Sequence, residues 1–144
     1  MLIGPSKALD AALRSAGEEA ARRGDRHVGT DHLLLGLLQD AGVAEALRAD
    51  VESARSAARE LDRHALAAIG IDVAEVPAPQ TQVRVGHIPL TSAARATIGR
   101  AGAVADAARV RRIEPLHLLK ALLEREQPDP AAALLSALGV RRDH

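Results

Sequence analysis

Apolar residues recur at helical spacing along most of the chain. Leu9, Leu13, Ala16 and Ala20 share one stripe of a helix predicted from about Ser6 to Arg23, with Ser6 as N-cap and Gly24 as its stop. Glu18–Arg22 and Glu19–Arg23 are i,i+4 pairs expected off that stripe. Thr30 is expected to cap a second helix, with Asp31 in its first turn where a negative charge suits the helix dipole. Leu33, Leu34, Leu35, Leu37 and Leu38 make that helix apolar nearly all round, so it should be central and buried, ending at Gly42. A short helix is predicted from Val43 to about Ala49. A longer one runs from Val51 to Ile69, with Ala54, Ala58, Leu61, Ala65 and Ile69 on one face. Residues 71–90 change character. Pro77, Pro79 and Pro89 oppose helix, and the stretch reads as a linker with a short extended piece at Gln82–Val85.

The pattern then restarts. Thr91 caps a fifth helix whose stripe is Ala94, Ile98, Ala101 and Ala105, each 85 residues after its counterpart in the first stripe. The same offset carries Val28 to Ile113, His32 to His117, and Leu33, Leu34, Leu37 and Leu38 to Leu118, Leu119, Leu122 and Leu123. A constant offset across two helices and their connecting loop is the mark of an internal duplication. Pro115 stands where the first turn of a helix tolerates proline, and a seventh helix is predicted from Pro130 to about Leu138. No counterpart of the long fourth helix follows. The expectation is therefore an all-α fold of about seven helices in one unit spanning residues 1–144. Its two pseudo-twofold repeats cover about 6–70 and 91–140, joined by the linker 71–90.

Two segments carry a resemblance to a known family. One is the tetrapeptide Gly29-Thr30-Asp31-His32, preceded by Val28 and followed by a leucine-rich helix; the other is Gly86-His87-Ile88-Pro89-Leu90-Thr91 at the start of the second repeat. Together they resemble the double-repeat N-terminal domain of Clp unfoldases, closest to the ClpC type, over about Ser6 to Val140. The resemblance implies two packed helical repeats that bind adaptors, substrates or degradation-tagged proteins and do no chemistry of their own. It also implies that the acid of the tetrapeptide, here Asp31, helps bind phosphorylated arginine. The matching position in the second repeat is Leu116, with Glu114 two residues earlier, so polar recognition should favour the first repeat. Pro5 and Leu90 stand where the family often has aromatic residues, so cyclic-peptide antibiotics that use those contacts should bind weakly or not at all.

Composition narrows the function classes. Nineteen basic and nineteen acidic residues balance, which gives no global pull toward nucleic acid or anionic lipid. The chain has no Cys, which removes thiolate chemistry and fits a reducing cytoplasm. It has no Phe, Trp or Tyr either, so no base-stacking platform can form and aliphatic side chains must build the whole core. No apolar stretch approaches the roughly 20 residues of a membrane span, and no signal-peptide pattern opens the chain. Lys7 and Lys120, the only lysines, both precede Ala, so no P-loop is present and no nucleotide engine is expected in this chain.

Asp31 and His32 are neighbours on a helix and diverge by about 100°, which argues against an acid–base pair. The six histidines show no HxxxH or HExxH spacing, so no metal or other cofactor is expected, and His32 and His117 are read as holding the two loop–helix junctions. Candidate partner-binding residues are Thr30, Asp31 and His32 in the first repeat and Glu114 and His117 in the second, flanked by Arg26 and Arg112. These readings converge on a non-enzymatic module that binds a protein, a peptide or a small peptide-like ligand in the groove between the repeats, including Clp components or tagged substrates, as an adaptor or decoy. An initiating Met1 and a short tail favour a free-standing protein over the excised N-domain of a full ATPase. Capture of a small cyclic-peptide ligand, and a DNA-associated helical protein, are the other readings left open.

Overall fold

The computed structural model describes residues 4–70 and 88–140. Helices α1 (Lys7–Arg22), α2 (Thr30–Leu37), α3 (Ala41–Leu47) and α4 (Val51–Ala68) precede the linker, and α5 (Ser92–Ala107), α6 (Pro115–Leu123) and α7 (Pro130–Ala137) follow it. The extended piece expected at Gln82–Val85 lies outside the described residues. Both ends of α5 are offset by 85 from those of α1, and α6 starts 85 residues after α2. The caps repeat as well. Ser6 Oγ accepts from the Leu9 N–H at 3.1 Å, and Thr91 Oγ1 accepts from the Ala94 N–H at 3.0 Å.

Two short parallel pairings fix the repeats against each other. Pro5 pairs with Ile113, and Leu90 pairs with Val28. The Ser6 N–H donates to Ile113 O (3.0 Å) and the Ile113 N–H to Gly4 O (3.0 Å). In the mirror arrangement the Thr91 N–H donates to Val28 O (3.0 Å) and the Val28 N–H to Pro89 O (2.8 Å). Each residue on one side is the 85-residue counterpart of one on the other. The segment leading into the first helix of each repeat is thus hydrogen-bonded to the loop leading into the second helix of the other, which is the pseudo-twofold relation.

Packing follows the same exchange. α1 lies on α2 and α5 on α6, while α3 packs on α6 and α7 on α2. α2 is the centre of the fold, with Leu33, Leu34, Leu35 and Leu37 almost wholly buried. Close approach of α1 and α2 depends on Gly36. A Cβ there would lie 2.4 Å from Ala12 O and 2.6 Å from Ala16 N, both backbone atoms that cannot swing aside. The counterpart in α6 is Ala121, which is accommodated and buried.

Several local expectations are corrected. Thr30 is not the N-cap of α2; Gly29 is, with φ −95° and ψ −179°, and Thr30 is the first helical residue. Its hydroxyl is used across the fold, donating to Asp129 Oδ2 (2.9 Å) and accepting from the Ala131 N–H (3.2 Å) at the start of α7. α2 ends at Leu37 and not at Gly42, because Asp40 caps α3 through the Val43 N–H (3.1 Å) and draws Gly42 into that helix. Glu19 does not reach Arg23 and does not face solvent. It is buried and accepts from Arg55 of α4 (Nε to Oε1 3.1 Å, Nη2 to Oε2 2.6 Å) and from Gln39 Nε2 (3.3 Å). A buried carboxylate persists only with such compensation. On α4, Ala54 and Ala58 are buried, but Ala65 and Ile69 are exposed, since no described element packs over the last turns.

Gly36→Ala should lower stability by about 1–3 kcal/mol, because two helix backbones must separate. Gly99, in α5 with open space at its Cβ position, gives the contrast. Gly99→Ala should raise stability by about 0.5–1 kcal/mol through helix propensity alone. Urea melts followed by circular dichroism at 222 nm will read both. A neutral Gly36→Ala would contradict the close approach.

Candidate functional site

The loop between α1 and α2 is built around His32. Its Nδ1 accepts from the Gly29 N–H (2.8 Å), which leaves Nε2–H to donate to Asp25 Oδ2 (2.7 Å). The imidazole therefore ties a helix start to the loop that precedes it, and its two bonds define one neutral tautomer. Asp25 titrates below the usual carboxylate range. The His32 bond is the main cause; partial burial opposes it and the Arg23 charge adds to it.

Arg23 gathers the acids of this region. Its Nη1 donates to Asp31 Oδ2 (3.2 Å), its Nη2 to Asp62 of α4, and its Nε lies 3.6 Å from Asp25 Oδ2. Burial alone would lower its pKa, but Asp62, Asp31 and Asp25 outweigh it and the guanidinium titrates higher than normal. Asp31 thus has an internal partner. Asp31 and His32 do not form an acid–base pair: Nδ1 and Oδ1 are 3.5 Å apart, and Nδ1 is already used by the backbone.

In the second repeat His117 Nδ1 accepts from the Glu114 N–H (2.8 Å), repeating the junction. The surrounding acids are gone. The counterparts of Arg23, Asp25 and Asp31 are Ala108, Val110 and Leu116. Arg26, Arg112 and Glu114 are exposed, and His117 is half-buried. Thr30, Asp31 and His32 are each engaged within the fold, so the seven residues singled out from sequence form two unlike loops and no single cleft. Among the described residues, no group of three or more His, Asp or Glu side chains is placed to hold a metal ion. No described helix is long and apolar enough to cross a membrane.

A groove lies between the repeats instead. It measures about 270 Å³ and is lined by Leu13, Val28, Leu33, Ile88, Leu90 and Ile98, together with Arg14 and Gly17. Leu13 and Ile98 are counterparts at the 85-residue offset, so the groove spans the pseudo-twofold relation. Sequence reasoning placed both on helix stripes but did not join them. The offset itself carried the signal, since residues close to a twofold relation pair with their own counterparts.

The comparisons with known proteins agree with this architecture. Residues 3–51 match the family described as the Clp repeat (R) N-terminal domain. The match covers the first repeat as far as the start of α4. The fold is that of a Clp N-domain. Among solved structures, the N-terminal domain of the caseinolytic protease associated chaperone ClpD from Arabidopsis thaliana is similar, with TM-score 0.74 and 20% identity over 96% of this chain and 86% of that one. At that identity the likeness speaks for the fold alone. No curated protein matches the chain.

Because the folded-state pKa of Asp25 is depressed, its contribution to stability is present above its unfolded value and is lost as pH falls through the folded one. Wild-type stability should therefore decline on acidification below about pH 4, and Asp25→Asn should make that decline shallower. Urea midpoints across pH 2–7, pH values chosen from about the carboxylate range, measure it. Superimposable curves would remove the His32–Asp25 bond from the account.

Proposed function

We propose that this chain is a non-enzymatic binding module of the Clp protease system that receives apolar side chains of a protein or peptide segment in the groove between its repeats. Clp N-domains in Clp ATPases bind substrates and adaptors, and the fold here is theirs. The observation that carries the reading is the apolar groove itself. Its lining side chains come from both repeats, and Leu13, Leu90 and Ile98 stay only partly buried, unlike the sealed core around α2. At about 270 Å³ it sits below the usual range of small-molecule pockets, roughly 300–1,000 Å³, so it suits one or two side chains of an extended chain better than an enclosed ligand. The stand-alone form of the role is an adaptor that presents clients to an unfoldase, or a decoy that withholds them. Of the first-repeat loop residues singled out from sequence, Thr30 and His32 are buried and hold the loop in place, which leaves Arg26 and Asp31 as the side chains a partner could reach there.

Calorimetry with a permanently unfolded, reduced and carboxymethylated protein tests the groove. Wild type should bind it, and Ile98→Asp or Leu13→Asp should weaken binding by about tenfold or more by placing a charge in the apolar lining. Circular dichroism melts of both variants serve as the folding control. Undiminished binding by both folded variants would refute the groove reading.

A further inference from the structure

We propose a second docking surface, on the loop between α5 and α6, for an acidic protein segment that carries apolar side chains beside its carboxylates. The surface is distinct from the groove and stands or falls separately from it.

The two inter-helix loops share one backbone path. Arg23 and Ala108 close α1 and α5 with φ/ψ of −86°/−3° and −81°/−5°. Gly24 and Arg109 follow in the left-handed region at φ 73° and 58°. Gly29 and Glu114 cap α2 and α6 at φ −95° and −94°, each held by its histidine. Positions 25 and 31 lie within the span of one guanidinium, since Arg23 reaches both, at 3.6 and 3.2 Å. The equivalent positions 110 and 116 therefore sit side by side. They hold Val110 and Leu116, which are 39% and 52% exposed and are two of the three large apolar side chains left exposed among the described residues.

Charge changes with them. Residues 23–31 contain two arginines and two aspartates, whereas residues 108–116 contain three arginines and one glutamate. Arg109, Arg111 and Arg112 make no ion pair among the described residues, in contrast to Arg23 with its three carboxylates. The histidine is retained without its acid. His32 Nε2–H donates to Asp25, but the counterpart of Asp25 is Val110, and no described residue accepts from His117 Nε2. The loop thus offers an imidazole donor and three uncommitted guanidinium groups around two exposed aliphatic side chains.

An acidic and apolar peptide complements that arrangement. A carboxylate replaces the lost aspartate at His117 and the arginines, while a neighbouring aliphatic or aromatic side chain covers Val110 and Leu116. Glu114, exposed at the same helix start, disfavours a uniform polyanion and fits carboxylates spaced by apolar residues. Nucleic acid is the poorer match, because no aromatic side chain is available to stack on bases. A membrane surface is poorer too, because two side chains give too little apolar area to insert.

The test uses a synthetic peptide alternating Glu and Leu with one Trp; the chain has no Phe, Trp or Tyr, so all the fluorescence belongs to the peptide. Saturable binding with a blue-shifted Trp is expected. The double variant V110D/L116D, which restores the residues found in the first repeat, should weaken it by about tenfold or more. So should R111Q/R112Q, which leaves the apolar pair intact, and with a smaller salt dependence. The double variants are compared in the Ile98→Asp background, in which the groove no longer takes apolar side chains, so the binding that remains belongs to the loop. Absence of binding, or binding undiminished in both double variants, overturns the proposal. Wild-type binding that is wholly absent from the Ile98→Asp background would assign the peptide to the groove and likewise overturn the proposal. Equal or tighter binding of a single-stranded oligonucleotide or of phosphatidylserine vesicles, lost in the same double variants, would assign the surface to another class of partner.

Discussion

Four backbone hydrogen bonds hold the two halves of this protein in register, and the remaining architecture is arranged around them. They join the strand-like segment before α1 to the loop before α6, and the segment before α5 to the loop before α2. Because donors and acceptors are all main-chain groups, the crossed pairing makes few demands on side-chain identity. Each pairing also positions a helix start, since Ser6 and Thr91, which take part in it, are the N-caps of α1 and α5. The histidine at each loop end then secures the next helix by accepting from a backbone N–H. Register, helix starts and loop shape are thus set by one repeated motif, and the side chains displayed on it have diverged.

That division explains what was legible in the sequence. Seven helices and their repeat relation could be read from leucine and alanine spacing, because burial enforces the 3.6-residue period and the duplication doubles the signal. The centrality of α2 was legible because Leu33, Leu34, Leu35, Leu37 and Leu38, in the helix and at its C-cap, are apolar nearly all round. Thr30 was misassigned because its hydroxyl acts as a cap, but for α7, some hundred residues away in sequence, and only the tertiary fold brings them together. Glu19 was misplaced for the same reason: an i,i+4 pair with Arg23 is the local option, while Arg55 on α4 offers a bidentate, buried alternative that wins. The Arg23 cluster was invisible because Asp62, one of its three acids, lies 39 residues away in sequence.

The absence of aromatic side chains shapes both packing and recognition. With only aliphatic side chains and alanine for the core, helices must approach closely, as Gly36 does against Ala12 and Ala16. Small contact residues bring helix backbones together but leave little area per residue, so stability must come from many short-range contacts spread over the bundle. The same economy leaves the inter-repeat groove lined by leucine, isoleucine and valine. Such a lining binds by shape and burial, with no ring faces to stack on or to hold a cation, and it therefore selects for apolar side chains in general over any one ligand.

The two loops place different electrostatics on pseudo-equivalent surfaces. In the first repeat three carboxylates, Asp25, Asp31 and Asp62, converge on Arg23, and Arg26 lies exposed in the same loop. A cationic group approaching Asp31 meets an arginine already there. In the second repeat Arg109, Arg111 and Arg112 make no ion pair among the described residues. The two loops thus carry different side chains on one backbone path, so the duplication does not display one surface twice. Under the proposed docking surface, a partner spanning both loops would meet carboxylates already paired with Arg23 at one and unpaired arginines at the other.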